Sequence, residues 1–149
     1  EWQAVRDDFT PDVLQTDAED FAALDVPEEI ECWPVCREGR KVTVPNSGGS
    51  KTTGAGDVQI NRVSGTYLYE GARSGSGETV DWTVAAKLAR NGQLILAGGL
   101  SVANVAEAIE TVRPFGVDVS SAVESAPGQK DAGLIRKFIN AAKAAGNNV

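Results

Sequence analysis

Short apolar runs alternate along the chain with stretches whose apolar residues recur three or four positions apart, the two periodicities of strands and helices. Trp2–Phe9 reads as the end of a helix, stopped by Pro11 because proline cannot continue the hydrogen-bond ladder. Asp12–Thr16 (DVLQT) suits a strand, with Asp17 as N-cap of a helix over AEDFAAL. Ile30–Cys36 (IECWPVC) is a second strand, weakened by Pro34. Thr66–Glu70 (TYLYE) is a third. Asp81 then caps the helix WTVAAKLAR, which Gly92 closes as the C′ residue. Gln93–Ala97 (QLILA) is a strand running into Gly98 and Gly99. Ser101 caps a helix with Val102, Val105, Ala106, Ile109 and Val112 at helical spacing. Gly116–Ser120 is a further strand, and Asp131 starts a last helix with Leu134, Ile135, Phe138, Ile139 and Ala142 on one face.

Strands alternating with helices across short loops predict parallel pairing through right-handed crossovers. There are at most five such steps, with a helix left over at the front, whereas eight close a barrel of typically ~250 residues. Pattern alone fits both an open α/β layer and a piece of a barrel. Residues 40–65 break the rhythm: they are rich in Gly, Ser, Thr and Asn, with two β-prone pieces, KVTV and DVQI, and read as a protruding hairpin or a disordered loop. Within them TTGAGD (52–57) is similar to the anion-hole loop of ribokinase-like sugar kinases, whose closing Asp is a base. There the motif leads directly into a long helix; here β-prone residues follow, so Asp57 reads as a solvated residue at the tip of an insertion.

Composition narrows the chemistry. A chain of 149 residues, 42% hydrophobic and 23% charged, is long enough for one domain spanning 1–149 with a sizeable core. A formal charge of −7 argues against nucleic-acid or anionic-membrane partners, which need a basic face. A phosphorylated metabolite is still permitted, because backbone N–H groups can build an anion site locally. The absence of His removes His-based triads and most zinc chemistry, and Cys32 and Cys36 do not make a disulfide framework. With no apolar run of membrane-span length and no signal-peptide pattern at its start, the chain reads as cytoplasmic.

Ligand loops of a βα barrel follow the strands. Gly98-Gly99-Leu100 lets backbone approach a ligand and leads to a helix start, and Asp118–Glu124 offers serine hydroxyls and successive N–H groups. From spacing alone these residues make either a phosphate cradle or a tight turn with capping serines. The segment QLILAGGLSVANVAEAIETVRPFGVDVSSAVESAPGQKD closely resembles the end of the phosphoribosylanthranilate isomerase family, whose pattern is LAGGL-x-x-x-NV-x-x-A followed by GVDVSSGVE-x-x-PG-x-KD. Asn104, Val105, Asp118, Ser120, Ser121, Glu124, Pro127, Gly128, Lys130 and Asp131 all match. SGSGETVDW (74–82) looks like the family's GGTGKTFDW loop, and DVLQTD looks like its VQLHGD strand end. The resemblance runs from about Asp12 to Ala145, apart from the glycine-rich insertion.

The resemblance implies a partial (βα)8 TIM barrel made of about the last five βα units. It implies an Amadori aldose–ketose isomerisation in tryptophan biosynthesis: the ribose ring of N-(5′-phosphoribosyl)anthranilate opens and a proton leaves C2, without metal or organic cofactor. An acid must protonate the ring oxygen and a base must take the C2 proton. The family's acid is an Asp at the end of the sixth strand, where this chain has Glu70. Carried over residue by residue, Gln15 and Asp118 contact substrate, and Gly98, Gly99, Ser120 and Ser121 bind phosphate. Arg37, just past a strand end, is a further ligand contact, and Arg73 is a solvated loop charge. The family's base is a Cys in a KICG-type motif on the first strand, which this chain lacks together with the second-strand Arg that engages the anthranilate carboxylate. Cys32 and Cys36 read as two small buried residues. Other departures are Thr16-Asp17 in place of Leu-His and Ala122 in place of Gly. The expectation is therefore an inactive piece. The alternative is a non-catalytic half-barrel that binds phosphate or assembles with a partner, and self-association through an open sheet edge is expected.

Overall fold

The computed structural model describes residues 2–40, 65–72 and 77–146. The stretch 41–64, with TTGAGD and Asp57, lies outside the described residues, as does Arg73. Helix α1 (Trp2–Phe9) leads to strand β1 (Val13–Asp17), and β2 (Glu31–Arg37) and β3 (Thr66–Glu70) follow. Then come α2 (Trp82–Ala89), β4 (Gln93–Leu96), α3 (Val105–Val112) and β5 (Gly116–Val117). A small hairpin of β6 (Glu124–Ala126) and β7 (Gln129–Lys130) precedes the final helix α4 (Ala132–Gly146).

The five long-range strands pair in parallel in the order β1-β2-β3-β4-β5. A doubly wound sheet would reverse its order at a switch point. A sheet whose spatial order follows the chain winds one way only, as a barrel does. Strand alternation then sends side chains to two distinct layers. Cys36, Tyr67, Tyr69, Leu94 and Leu96 pack on the helices through Leu88, Val105, Ile109, Val112 and Phe138. Val35, Leu68, Ile95 and Ala97, with Trp33 against them, make the opposite layer, on the face that continues to Arg37 and Glu70. Tyr67, Leu94, Leu96 and Val105 are fully buried, each worth about 1.5–3 kcal/mol of apolar burial.

Several predicted boundaries move. Asp17 does not cap a helix: it is the last residue of β1, and only a 3₁₀ turn, Asp20–Ala23, follows. Pro34 sits within β2, opposite Thr16 of β1, and pairing with β3 begins one residue later, at Val35, so proline interrupts one ladder only. Gly92 is not a left-handed cap. Helix α2 ends at Ala89, Arg90 is still right-handed, and Asn91 closes the turn with its N–H to Leu88 O at 2.9 Å and its side-chain amide to Lys87 O at 3.2 Å. The helix expected from Ser101 starts only at Val105, and Ala108 rather than Ala106 is buried. Strand β5 stops at Val117 instead of Ser120. On α4, Ile139 points out, 44% exposed, while Ala145 is buried. The caps Asp81 and Asp131 stand as predicted: Asp81 Oδ1 accepts Thr83 N–H at 2.8 Å, and Asp131 Oδ1 accepts Leu134 N–H at 2.7 Å.

Candidate active site at the carboxyl ends of the strands

Three loops at the carboxyl ends of β3, β4 and β5 meet around a cavity of about 310 Å³. Glu70, Gly98, Gly99, Asp118, Ser120 and Ser121 all line it, joined by Gly71, Gly77, Glu78, Leu100, Ser101, Val119 and Ala122. Gln15 does not. It is exposed on β1, in register with Trp33.

The glycine pair is demanded by packing between loops. Gly98 and Gly99 have φ of +86° and +62°, a region that side chains disfavour. A Cβ on Gly99 would lie 2.6 Å from the Glu78 carbonyl carbon and the Thr79 nitrogen, backbone that cannot swing aside. The two glycines thus let the β4 loop press against the β3 loop. Asn104 holds the result in place: its Oδ1 accepts Ser101 N–H at 2.8 Å, and its Nδ2 donates to Gly99 O at 3.0 Å. The helix starts after this clamp because Asn104 spends its side chain on the loop.

An ion network spans the ends of β1, β2 and β3. Arg37 donates through Nε to Asp17 Oδ1 at 2.9 Å, and its Nη1 contacts Glu70 Oε1 directly. The side chains of Arg37 and Glu70 are mostly buried. The hydrogen bond to Asp17, with the charge of Glu70, pushes the guanidinium above its ordinary pKa against the pull of burial. Glu70 is anchored by its backbone too. Its carbonyl accepts Glu38 N–H at 2.8 Å, and Glu38 Oε1 accepts Asp81 N–H at 2.8 Å, tying the strand end to the cap of α2.

Neither cysteine serves the cavity. Cys36 is fully buried on the helix-facing layer, where burial pushes its thiol up to about 12. Cys32 lies on the same face, two alternations earlier, and is raised by burial and by Glu31. Cys36 is the buried residue the sequence suggested, whereas Cys32 is only half-buried.

The β6–β7 hairpin, absent from the pattern reading, buttresses the serine loop from behind. Lys130 Nζ donates to Ser120 O at 2.9 Å, to Ser120 Oγ at 3.2 Å and to Glu124 Oε1 at 2.7 Å. Glu124 Oε2 also accepts Gly128 N–H at 3.0 Å across the turn. These contacts hold the carboxyl of Glu124 below its ordinary value, Lys130 contributing most. The signal for Lys130, Glu124 and Asn104 was present in PG-x-KD and NV; what sequence lacked was their partners. Among the described residues no group of three His, Cys, Asp or Glu is placed to hold a metal ion.

A sequentially wound parallel sheet with its cavity at the carboxyl ends of the strands defines a βα-barrel protein whose ligand loops follow the strands. The sequence model of the N-(5′-phosphoribosyl)anthranilate (PRA) isomerase family matches residues 38–141, and the chain belongs to that family. The N-(5′-phosphoribosyl)anthranilate isomerase of Geobacter sulfurreducens is 57% identical over 72 residues, 48% of this chain and 36% of that protein. The corresponding protein of Roseiflexus sp. (strain RS-1) is 60% identical over 75 residues, 50% of this chain and 35% of its own. The chain thus spans about a third of the curated relatives it matches. TrpF from Jonesia denitrificans superposes with a TM-score of 0.60 at 33% identity, covering 95% of this chain and 64% of that one. The N-(5′-phosphoribosyl)anthranilate isomerase of Pyrococcus furiosus superposes at 0.63 and 24% identity over 97% of this chain and 68% of that one, a likeness of fold alone. The fold is part of a TIM barrel, with five parallel strands among the described residues.

Proposed function

We propose that this chain carries the acid and phosphate side of a phosphoribosylanthranilate isomerase site. The observation that supports this most is the convergence of Glu70, Asp118 and the Gly98-Gly99 and Ser120-Ser121 loops on one cavity, in a chain of this family. In this reading Gly98, Gly99, Ser120 and Ser121 receive the phosphate of N-(5′-phosphoribosyl)anthranilate through N–H and hydroxyl donors. Glu70 gives its proton to the ribose ring oxygen as the ring opens, and the anilino nitrogen lone pair forms the iminium. A base then removes the C2 proton, and the resulting enaminol becomes the ketose.

Glu70 faces Arg37, which Asp17 shares. Asp118, at the cavity lining, contacts the sugar hydroxyls. Gln15 enters the site only with a longer substrate reach than the described cavity. No cysteine thiol faces the cavity among the described residues, so the 149-residue chain is proposed to bind phosphorylated sugar and to turn it over weakly or not at all. A fluorescence turnover assay with the purified chain tests this. Activity at the level of a complete isomerase overturns the proposed deficiency, and in any active form of the protein Glu70→Gln should lower kcat by about 10²-fold or more.

A second reading, a half-barrel that assembles with another chain or copy, draws on one observation. Among the described residues, β1 pairs with β2 on one side only.

A further inference from the structure

Glu70, Glu78 and Asp118 line the cavity, and among the described lining residues none is Lys or Arg. A phosphate dianion entering such a cavity needs positive charge or firmly aimed N–H groups close by. Arg37 sits at the Glu70 end, engaged by Asp17 and Glu70. At the serine end stands Lys130, 3.2 Å from the hydroxyl and 2.9 Å from the carbonyl of Ser120. Its side chain is 46% exposed, and Glu124 fixes it against the hairpin.

The carbonyl contact has a stereochemical consequence. In a trans peptide the Ser120 C=O and the Ser121 N–H point in opposite directions. The Ser120 carbonyl takes Lys130 at 2.9 Å and also accepts Val123 N–H at 3.4 Å, so the Ser121 N–H points the other way, away from Lys130. Ser120 has φ −121° and ψ −84°, outside the helical and extended regions, and its side chain makes no cap bond. Among the described residues no hydrogen bond takes up the N–H of Ser121 or Ala122.

We propose that Lys130, anchored by Glu124, is the positioning residue of the anion end of the cavity: it aims the Ser121 N–H inward and supplies the compensating charge behind it. This rests on the reading that the serine loop receives a phosphate. The test is a titration of the ¹⁵N-labelled chain with inorganic phosphate at constant ionic strength, following the Ser121 and Ala122 amides, with melting temperature as a control. The parent chain should show saturable shifts at both amides. Lys130→Met should weaken phosphate about tenfold with its melting temperature little changed, Lys130→Arg should recover to within about threefold, and Lys130→Gln, a neutral donor, should fall between. If Lys130→Met does not fold, the comparison of the Arg and Gln variants decides: equal affinities overturn the charge role. A Lys130→Met titration that matches the parent overturns the inference and leaves the phosphate reading standing. A parent chain with no saturable shift at these amides overturns the phosphate reading, and the inference with it.

Discussion

Two glycines with similar backbone angles have different reasons to be glycine. Gly99 (φ +62°) is enclosed, the place of its missing Cβ taken by the backbone of Glu78 and Thr79, while a Cβ on Gly128 (φ +76°) would meet nothing within 4 Å. Gly128→Ala should therefore cost about 1–2 kcal/mol, the backbone penalty alone. Gly99→Ala should cost more, about 3 kcal/mol, because a buried clash adds to it. Urea unfolding of the two variants checks the order, and equal losses would refute the packing role of Gly99. Arg113 presents the reverse case, a non-glycine residue at φ +52° ending α3 with its N–H on Ile109 O. Arg113→Gly should be neutral or stabilising by up to about 1 kcal/mol in the same experiment. At this scale sequence reading found the residues but misread some of their work. LAGGL was recognisable as a loop at a strand end, and it lines the cavity; that Gly99 is required by the neighbouring loop depends on two strands side by side.

The elements show the same division. Helix α2 was legible at its start, since Asp81 offers an N-cap oxygen whatever the tertiary context. Asp81→Ala should lower the melting temperature, and Asp81→Asn, which retains an acceptor, should restore most of the loss in a thermal circular dichroism scan. The start of α3 was not legible, because Asn104 bonds Ser101 and Gly99 and delays the helix to Val105. Asp17 was misassigned for a similar reason: a capping residue type is equally good as the partner of Arg37, and only β2 alongside selects the second role. Between strand and helix layers, Cys36 provides a pH-dependent test. Its thiol rises from an ordinary 9.0 to about 12 in the fold, so the unfolded chain ionises first. Its contribution to stability is complete below pH 9 and is lost as pH rises toward 12. Cys36→Val should flatten the first part of that alkaline decline in urea titrations taken at successive pH values, and an unchanged slope would count against a buried neutral thiol.

At the scale of the whole molecule, one acid-sensitive contact lies in the hairpin. Glu124 is held below its ordinary 4.5 by Lys130 and Gly128, so its stabilisation is present above that pH and fades as pH falls through the lowered value. Glu124→Gln should remove this part of the acid transition without altering the alkaline one. The half-barrel reading predicts association through β1, which among the described residues pairs on one side only: sedimentation across a concentration series should show reversible self-association, and a monomer at every concentration would rule against the edge as a contact. Taken alone, the sequence established the alternation of strands and helices, the parallel class, the family signature and the residues of the cavity loops, because periodicity and motif spacing are local properties of a chain. Tertiary structure decided the rest. It ordered the five strands without a reversal, turned Cys36 toward the helices, left Gln15 outside the cavity, joined Arg37 to Asp17 and Glu70, and set Lys130 behind Ser120. Each of these is a contact between residues distant in sequence, and no local pattern encodes which of several chemically suitable partners the folded sheet will bring within reach.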